Sequence, residues 1–200
     1  MKKCVLFALL FLFVLPLTAC ANQWISDKAT ADHHSAWTFV DYFSGEELPW
    51  GETIEKDVPA FLPNTQFQWT DSQFIAIEDH IKTVLIQGMP IWNVFVADLN
   101  RDGKPEFCAT ISMGSGIVDN RVIVVDYANH RSYDISDRMK YDYRLSKQGE
   151  KLIITRTLYP YIEQKNNDSL IGSLSIEHQQ LKIAYTNGET QILEATASSE

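Results

Sequence analysis

Short apolar runs that alternate with polar residues dominate the chain from Trp37 onward. Trp37–Phe43, Thr65–Thr70, Ile91–Ala97, Phe107–Met113, Arg121–Tyr127, Tyr141–Leu145 and Leu152–Thr157 read as strands, followed by the pair Ser173–Ile176 and Leu181–Tyr185. Turn-forming clusters separate them at Asp119-Asn120, Ala128–His130, Lys147–Gly149 and Asn187-Gly188. Strands joined by connections this short pair antiparallel, because a parallel pair needs a long crossover. The expected fold is mainly β, an antiparallel sheet or β-sandwich-like single domain with at most one or two short helices.

Phe74 to Ile86 supports two readings. Phe74, Ile77, Ile81, Val84 and Leu85 would line one helical face, with Gly88 as a stop. Ile75, Thr83, Val84 and Ile86 are β-branched, however, and Glu78-Asp79-His80 can turn a hairpin. The β-branched content tips the balance to the hairpin, with the helix as the alternative.

The N-terminus has a different pattern. Lys2-Lys3, an apolar stretch from Val5 to Leu17 and Leu17-Thr18-Ala19-Cys20 form the three parts of a signal peptide. The stretch falls short of the roughly 20 apolar residues that span a bilayer. Leu-Thr-Ala-Cys resembles a lipobox, which implies cleavage after residue 19 and a lipid (palmitate-type acylation) on Cys20 that attaches the protein to the membrane. The organisation expected is a lipoprotein signal peptide over 1–19, a flexible tether over 20–35, one β-rich domain over 36–195 and a disordered tail over 196–200. The localisation expected is export, with anchoring on the extracytoplasmic face of the cell membrane.

Charge and cysteine content narrow the function. The chain carries a net charge of −9, which becomes −11 once Lys2 and Lys3 leave with the signal. No basic cluster is available to neutralise phosphates, so nucleic acid is not an expected partner. Of three cysteines, Cys108 alone would remain with a free thiol, in a run that reads as a buried strand. His33-His34 sits in the tether without a carboxylate or thiol at ligand spacing.

One segment carries local chemistry. Asp98-Leu99-Asn100-Arg101-Asp102-Gly103-Lys104-Pro105-Glu106 joins two predicted strands. Oxygen ligands at positions 1, 3 and 5 with Gly at 6 open a calcium loop, so Asp98, Asn100 and Asp102, the Lys104 carbonyl and Glu106 form a candidate Ca2+ site. An EF-hand is excluded, because position 12 is Ala109 and the flanks are strands. The loop resembles the Asp-x-Asp-x-Asp-Gly hairpin of integrin-type and FG-GAP propeller repeats, with Asn100 and Glu106 as departures. No second copy follows, so a single blade-like hairpin is set in another β architecture. A polar Asx-rich turn that needs no ion would show the same pattern.

No catalytic set emerges. Ser115, in Met113-Gly-Ser-Gly116, lacks nucleophile-elbow spacing, His-Glu-x-x-His does not occur, and His80, His130 and His178 stand singly in predicted turns. Asp126, Asp134, Asp137 and Asp142 lie near tyrosines, which suits a solvated strand face as well as an acidic cleft. The expectation is that the chain is not an enzyme. It would be a lipid-anchored, extracytoplasmic binding or sensing domain whose partner is an envelope protein or small ligand. An envelope hydrolase using the acidic and tyrosine-rich face or Ser115, and a structural spacer, are the alternatives.

The blocks Gly88–Thr110, Gly114–Tyr127 and Ser136–Tyr143 are similar to an extracytoplasmic domain attached after the peptidase of β-lactam-sensor-type membrane metallopeptidases. The likeness is densest over Gly88–Tyr143. In those relatives the zinc and the membrane spans belong to the peptidase half, so the resemblance implies an accessory role and transfers no catalytic residue.

Overall fold

Alternation of polar and apolar residues translates directly into burial: in Thr65–Thr70, Thr65, Phe67 and Trp69 point inward while Gln66 is exposed. The computed structural model describes residues 38–43, 53–57, 62, 64–113, 119–138, 140–149, 151–158 and 169–197. The signal segment, Cys20, His33-His34 and Ser115 lie outside the described residues.

The strands, in chain order, begin with β1 (Thr38–Phe43), β2 (Thr53–Asp57), β3 (Thr65–Thr70), β4 (Gln73–Glu78) and β5 (Ile81–Gln87). Then come β6 (Ile91–Ala97), β7 (Glu106–Ser112), β8 (Asn120–Asp126) and, after a 3-10 turn at Tyr127–Asn129, β9 (Arg131–Ile135). The chain continues through β10 (Tyr141–Gln148), β11 (Lys151–Leu158), β12 (Leu170–Glu177), β13 (Gln180–Tyr185), β14 (Thr190–Glu194) and the short β15 (Thr196–Ala197). Among the described residues these strands form three antiparallel sheets, ordered β1-β6-β7-β8-β9-β15, β10-β11-β12-β13-β14 and β2-β3-β4-β5. The fold is therefore mainly β and sandwich-like.

The six-stranded sheet is covered on both faces. Phe95, Cys108, Val122, Val124, Tyr133 and Ile135 pack against Tyr143, Leu145, Ile154, Ile176, Leu181 and Ile183 of the five-stranded sheet. On the opposite face, Val94, Val96, Phe107, Ala109 and Ile111 pack against Phe67, Trp69, Phe74 and Ile86 of the four-stranded sheet. Burial on both sides explains why β7 is an apolar run with little alternation, and every residue in it is buried.

The Phe74–Ile86 stretch forms the β4–β5 hairpin. Its turn residues Asp79 and His80 both have positive φ, as a two-residue hairpin turn matched to strand twist requires. Helix formation would have spent Ile81 and Val84 on the buried face, whereas here both are exposed. The sheet then passes close to its neighbour at Gly88, where a Cβ would lie 2.8 Å from Ile111 Cβ, so only glycine fits without displacement.

Polar side chains join the six-stranded and five-stranded sheets. β10 is an edge strand, and the N–H of Leu145 donates to Thr110 Oγ1 (2.8 Å) while its carbonyl accepts from Asn93 Nδ2 (3.2 Å). Asn93 Oδ1 accepts in turn from the Thr110 N–H at 3.0 Å. These bonds satisfy backbone groups of an edge strand inside the core. Cys108 lies on the same face with no exposed surface, and burial, reinforced by the nearby Glu106 charge, pushes its thiol pKa up. It is a core residue.

Candidate metal centre

The β6–β7 connection starts at Ala97 and returns at Glu106, so the ends of one hairpin bring position 1 of the loop beside position 9. Asp98 acts as the hub. Its Oδ1 accepts from the Asp102 N–H and its Oδ2 from the Gly103 N–H, both at 3.1 Å. Asn100 Oδ1 also accepts from the Asp102 N–H (2.8 Å), and Asp102 Oδ1 accepts from the Lys104 N–H (2.8 Å). Arg101 and Gly103 both adopt positive φ, 61° and 82°, which curls the backbone around the acidic side chains. Glycine carries the larger of these at no steric cost.

This curl brings carboxylate oxygens of Asp98, Asp102 and Glu106 within 4.8 Å of one another. Three of the five residues read from the sequence thus come together. Asn100 spends its carbonyl oxygen on the turn, and Lys104 is exposed with its N–H on Asp102.

Burial makes the trio electrostatically demanding. Asp98 is 3% exposed and Glu106 has no exposed surface. Burial pushes the Glu106 carboxyl up to about 9, against the Leu99 N–H that stabilises its charge, and the nearby Asp126, Asp98 and Asp102 charges add to the rise. Burial also raises Asp98, with the Asp102 charge adding to the effect and the Gly103 N–H opposing it. Among the described residues, no lysine or arginine forms a salt bridge with any of the three.

Among the described residues, hydrogen bonding leaves one buried carboxylate oxygen of this trio unsatisfied. Glu106 Oε2 accepts from the Leu99 N–H, but Glu106 Oε1 is buried without a hydrogen-bond partner. Asp126, the cross-strand partner of Glu106, makes the contrast: it is just as buried, yet its oxygens accept from the Asn129 N–H and side-chain amide. A buried carboxylate oxygen without a donor is costly, and a cation beside it would relieve both the missing bond and the like-charge repulsion. An all-oxygen donor set of this kind can hold a hard divalent cation.

The loop is also tied to the opposite sheet. Leu99 packs its side chain in the core between the six-stranded and five-stranded sheets, and its carbonyl accepts from the Ile176 N–H of β12 at 2.9 Å. Neither Asp126 nor the Leu99 backbone was singled out for the loop from sequence. Only the strand register, Glu106 opposite Asp126, reveals the former.

The other candidate residues lie away from this loop, and of them His130 and His178 line one concavity. His80 lies in the β4–β5 turn, and His130 and His178 in turns of the other two sheets. Tyr133 and Tyr143 point into the core while Asp134 is exposed and pairs with Arg121, so along these strands acid and tyrosine occupy opposite faces. Comparison with known proteins returns no matching family model, no matching curated protein and no matching solved structure.

Proposed function

We propose that this chain is a lipid-anchored, non-catalytic binding or sensing domain of the extracytoplasmic cell envelope, stabilised by calcium in the β6–β7 loop. The observation that carries the calcium part is the meeting of Asp98, Asp102 and Glu106 around a buried carboxylate oxygen that no group among the described residues satisfies. The anchoring part rests on the signal-like N-terminus and the lipobox-like Leu17–Cys20. The binding role rests on the resemblance of Gly88–Tyr143 to an accessory domain and on a sequence that assembles no catalytic set.

Calcium ligation by two or three carboxylates on an extracellular module has Kd values of about 10⁻⁴ to 10⁻³ M. Addition of about 5 mM calcium should then stabilise the fold by about 1–2 kcal/mol, a rise in Tm of about 2–8 °C. Asp98→Asn should abolish the rise. Titration calorimetry and thermal melts test this, and an unchanged Tm together with no heat of binding would retire the calcium reading.

Anchoring is tested separately. Cys20→Ala should move the protein from the membrane fraction to the soluble one, because two acyl chains hold stably while none holds at all. An unchanged distribution would overturn the lipid assignment.

A further inference from the structure

A concavity lies where the β8–β9 connection of the six-stranded sheet meets the β12–β13 turn and the end of β14 of the five-stranded sheet. Asn129, His130 and Arg131 at the start of β9, His178 and Gln179 in the β12–β13 turn, and Glu194 at the end of β14 surround a cavity of about 350 Å³. That volume falls at the lower end of the range for small-molecule sites, about 300–1,000 Å³.

Its walls are fixed from within. Asn129 is locked by both oxygens of Asp126, and Tyr133 of β9 donates its hydroxyl to the Gln179 carbonyl at 3.0 Å. The β12–β13 turn holds His178 and Gln179 at positive φ, 51° and 67°, where Asn-Gly is the favoured pair. The Asn129 side chain and the backbone of the β12–β13 turn are therefore held without a ligand's help.

The charges of the cavity are mismatched in a specific way. Arg121 pairs with Asp119 and Asp134, and Arg156 pairs with Glu189. Arg131 has no such partner among the described residues, although the chain is strongly acidic. Glu194, on the same cavity, uses one oxygen to accept from Gln180 Nε2 (2.6 Å), and it forms no salt bridge with Arg131. A cation and an anion thus line one cavity without forming a salt bridge with each other. A ligand that carries both charges would satisfy both.

From this arrangement we infer that the cavity binds a small zwitterion of the amino-acid or short-peptide class, its carboxylate on Arg131 and its ammonium on Glu194. A guanidinium presents a planar fork suited to a carboxylate, and His130, His178 and Gln179 supply further polar groups along the rim. The inference deepens the binding role proposed above and rests on it only for the expectation that the domain binds a ligand. It does not involve the calcium loop or the lipid anchor.

The test uses the full-length chain and three probes: alanyl-alanine, its N-acetylated form without the ammonium, and its C-terminal amide without the carboxylate. Alanyl-alanine should shift the ring resonances of His130 and His178 in a saturable way, and each blocked form should bind about ten-fold weaker or worse. Arg131→Gln and Glu194→Gln should each lose the response while keeping the wild-type Tm and the calcium response. No shift at about 20 mM alanyl-alanine would overturn the inference, since affinities weaker than that correspond to less than about 2.3 kcal/mol. Blocked peptides that bind as well as the zwitterion, or variants that bind like the wild type, would overturn it too. A normal calcium melt and a normal membrane fraction alongside such a failure would leave the lipid-anchored, calcium-stabilised reading intact.

Discussion

In the presence of a chelator the protein should lose stability as the pH rises from about 4.5 toward about 9, and Glu106→Gln should remove much of that loss. The sign follows from the direction of the shift. Below the unfolded carboxyl pKa the group is protonated in both states and contributes its full stability. Between the two pKa values the unfolded chain ionises while the folded carboxyl, pushed up by burial, keeps its proton. Folding then takes up a proton, so rising pH opposes it, by at most about 1.4 kcal/mol per pH unit for one group. Asp98, raised by the same burial, adds in the same sense.

Calcium, bound as proposed, should reverse the trend, because it would stabilise the ionised carboxylates and its binding would release the proton. Chemical denaturation at several pH values with chelator, and again with calcium, measures both slopes. The Gln variant should be more stable than the wild type at pH 8 in chelator and should gain less from calcium. Equal pH slopes for the two proteins in chelator would show that burial does not raise the Glu106 carboxyl in the folded protein.

Legibility in the sequence followed burial. Thr65–Thr70, Arg121–Asp126 and Tyr141–Leu145 alternate because each sends side chains alternately into and away from a core, and their strands were readable. Thr53–Asp57, Arg131–Ile135 and Thr190–Glu194 were not, being short and largely polar. Asn120 read as part of a turn because asparagine favours turns. It instead opens β8, buried, with its Oδ1 accepting from Trp92 Nε1 at 3.2 Å. The loop Asp98–Glu106 was legible because its candidate oxygen donors are local, each two residues from the next. The burial of Glu106 and the cavity around Arg131 were not, because both depend on strands and turns distant in sequence. The third sheet escaped notice for the same reason: β6 and β7 are apolar on both faces, and period alone does not say what covers each.

Burial on one of these two faces makes Phe107 a sensitive position for stability. It follows Glu106 directly, so strand alternation sends it to the face opposite the acidic trio, toward the four-stranded sheet. Its ring has no exposed surface and lies 4.5 Å from Phe67 and 5.1 Å from Phe74, tilted at 45° and 52° to them, with Tyr127 edge-on at 6.4 Å. Phe107→Ala should cost about 3–5 kcal/mol, since the neighbouring strands hold the cavity open. Domains have only about 5–15 kcal/mol in total, so the variant should be partly unfolded at physiological temperature. The guanidinium midpoint should fall with little change in slope, whereas a loss below about 1 kcal/mol would mean the aromatic cluster does not hold the sheets together. Calcium discriminates between a local and a global effect. The trio sits on the other side of the strand, held by Leu99 and β12, so the folded fraction of Phe107→Ala should still gain stability from the ion. Loss of that gain would mean the two faces of β7 form one cooperative unit, and that the cation supports the packing of all three sheets.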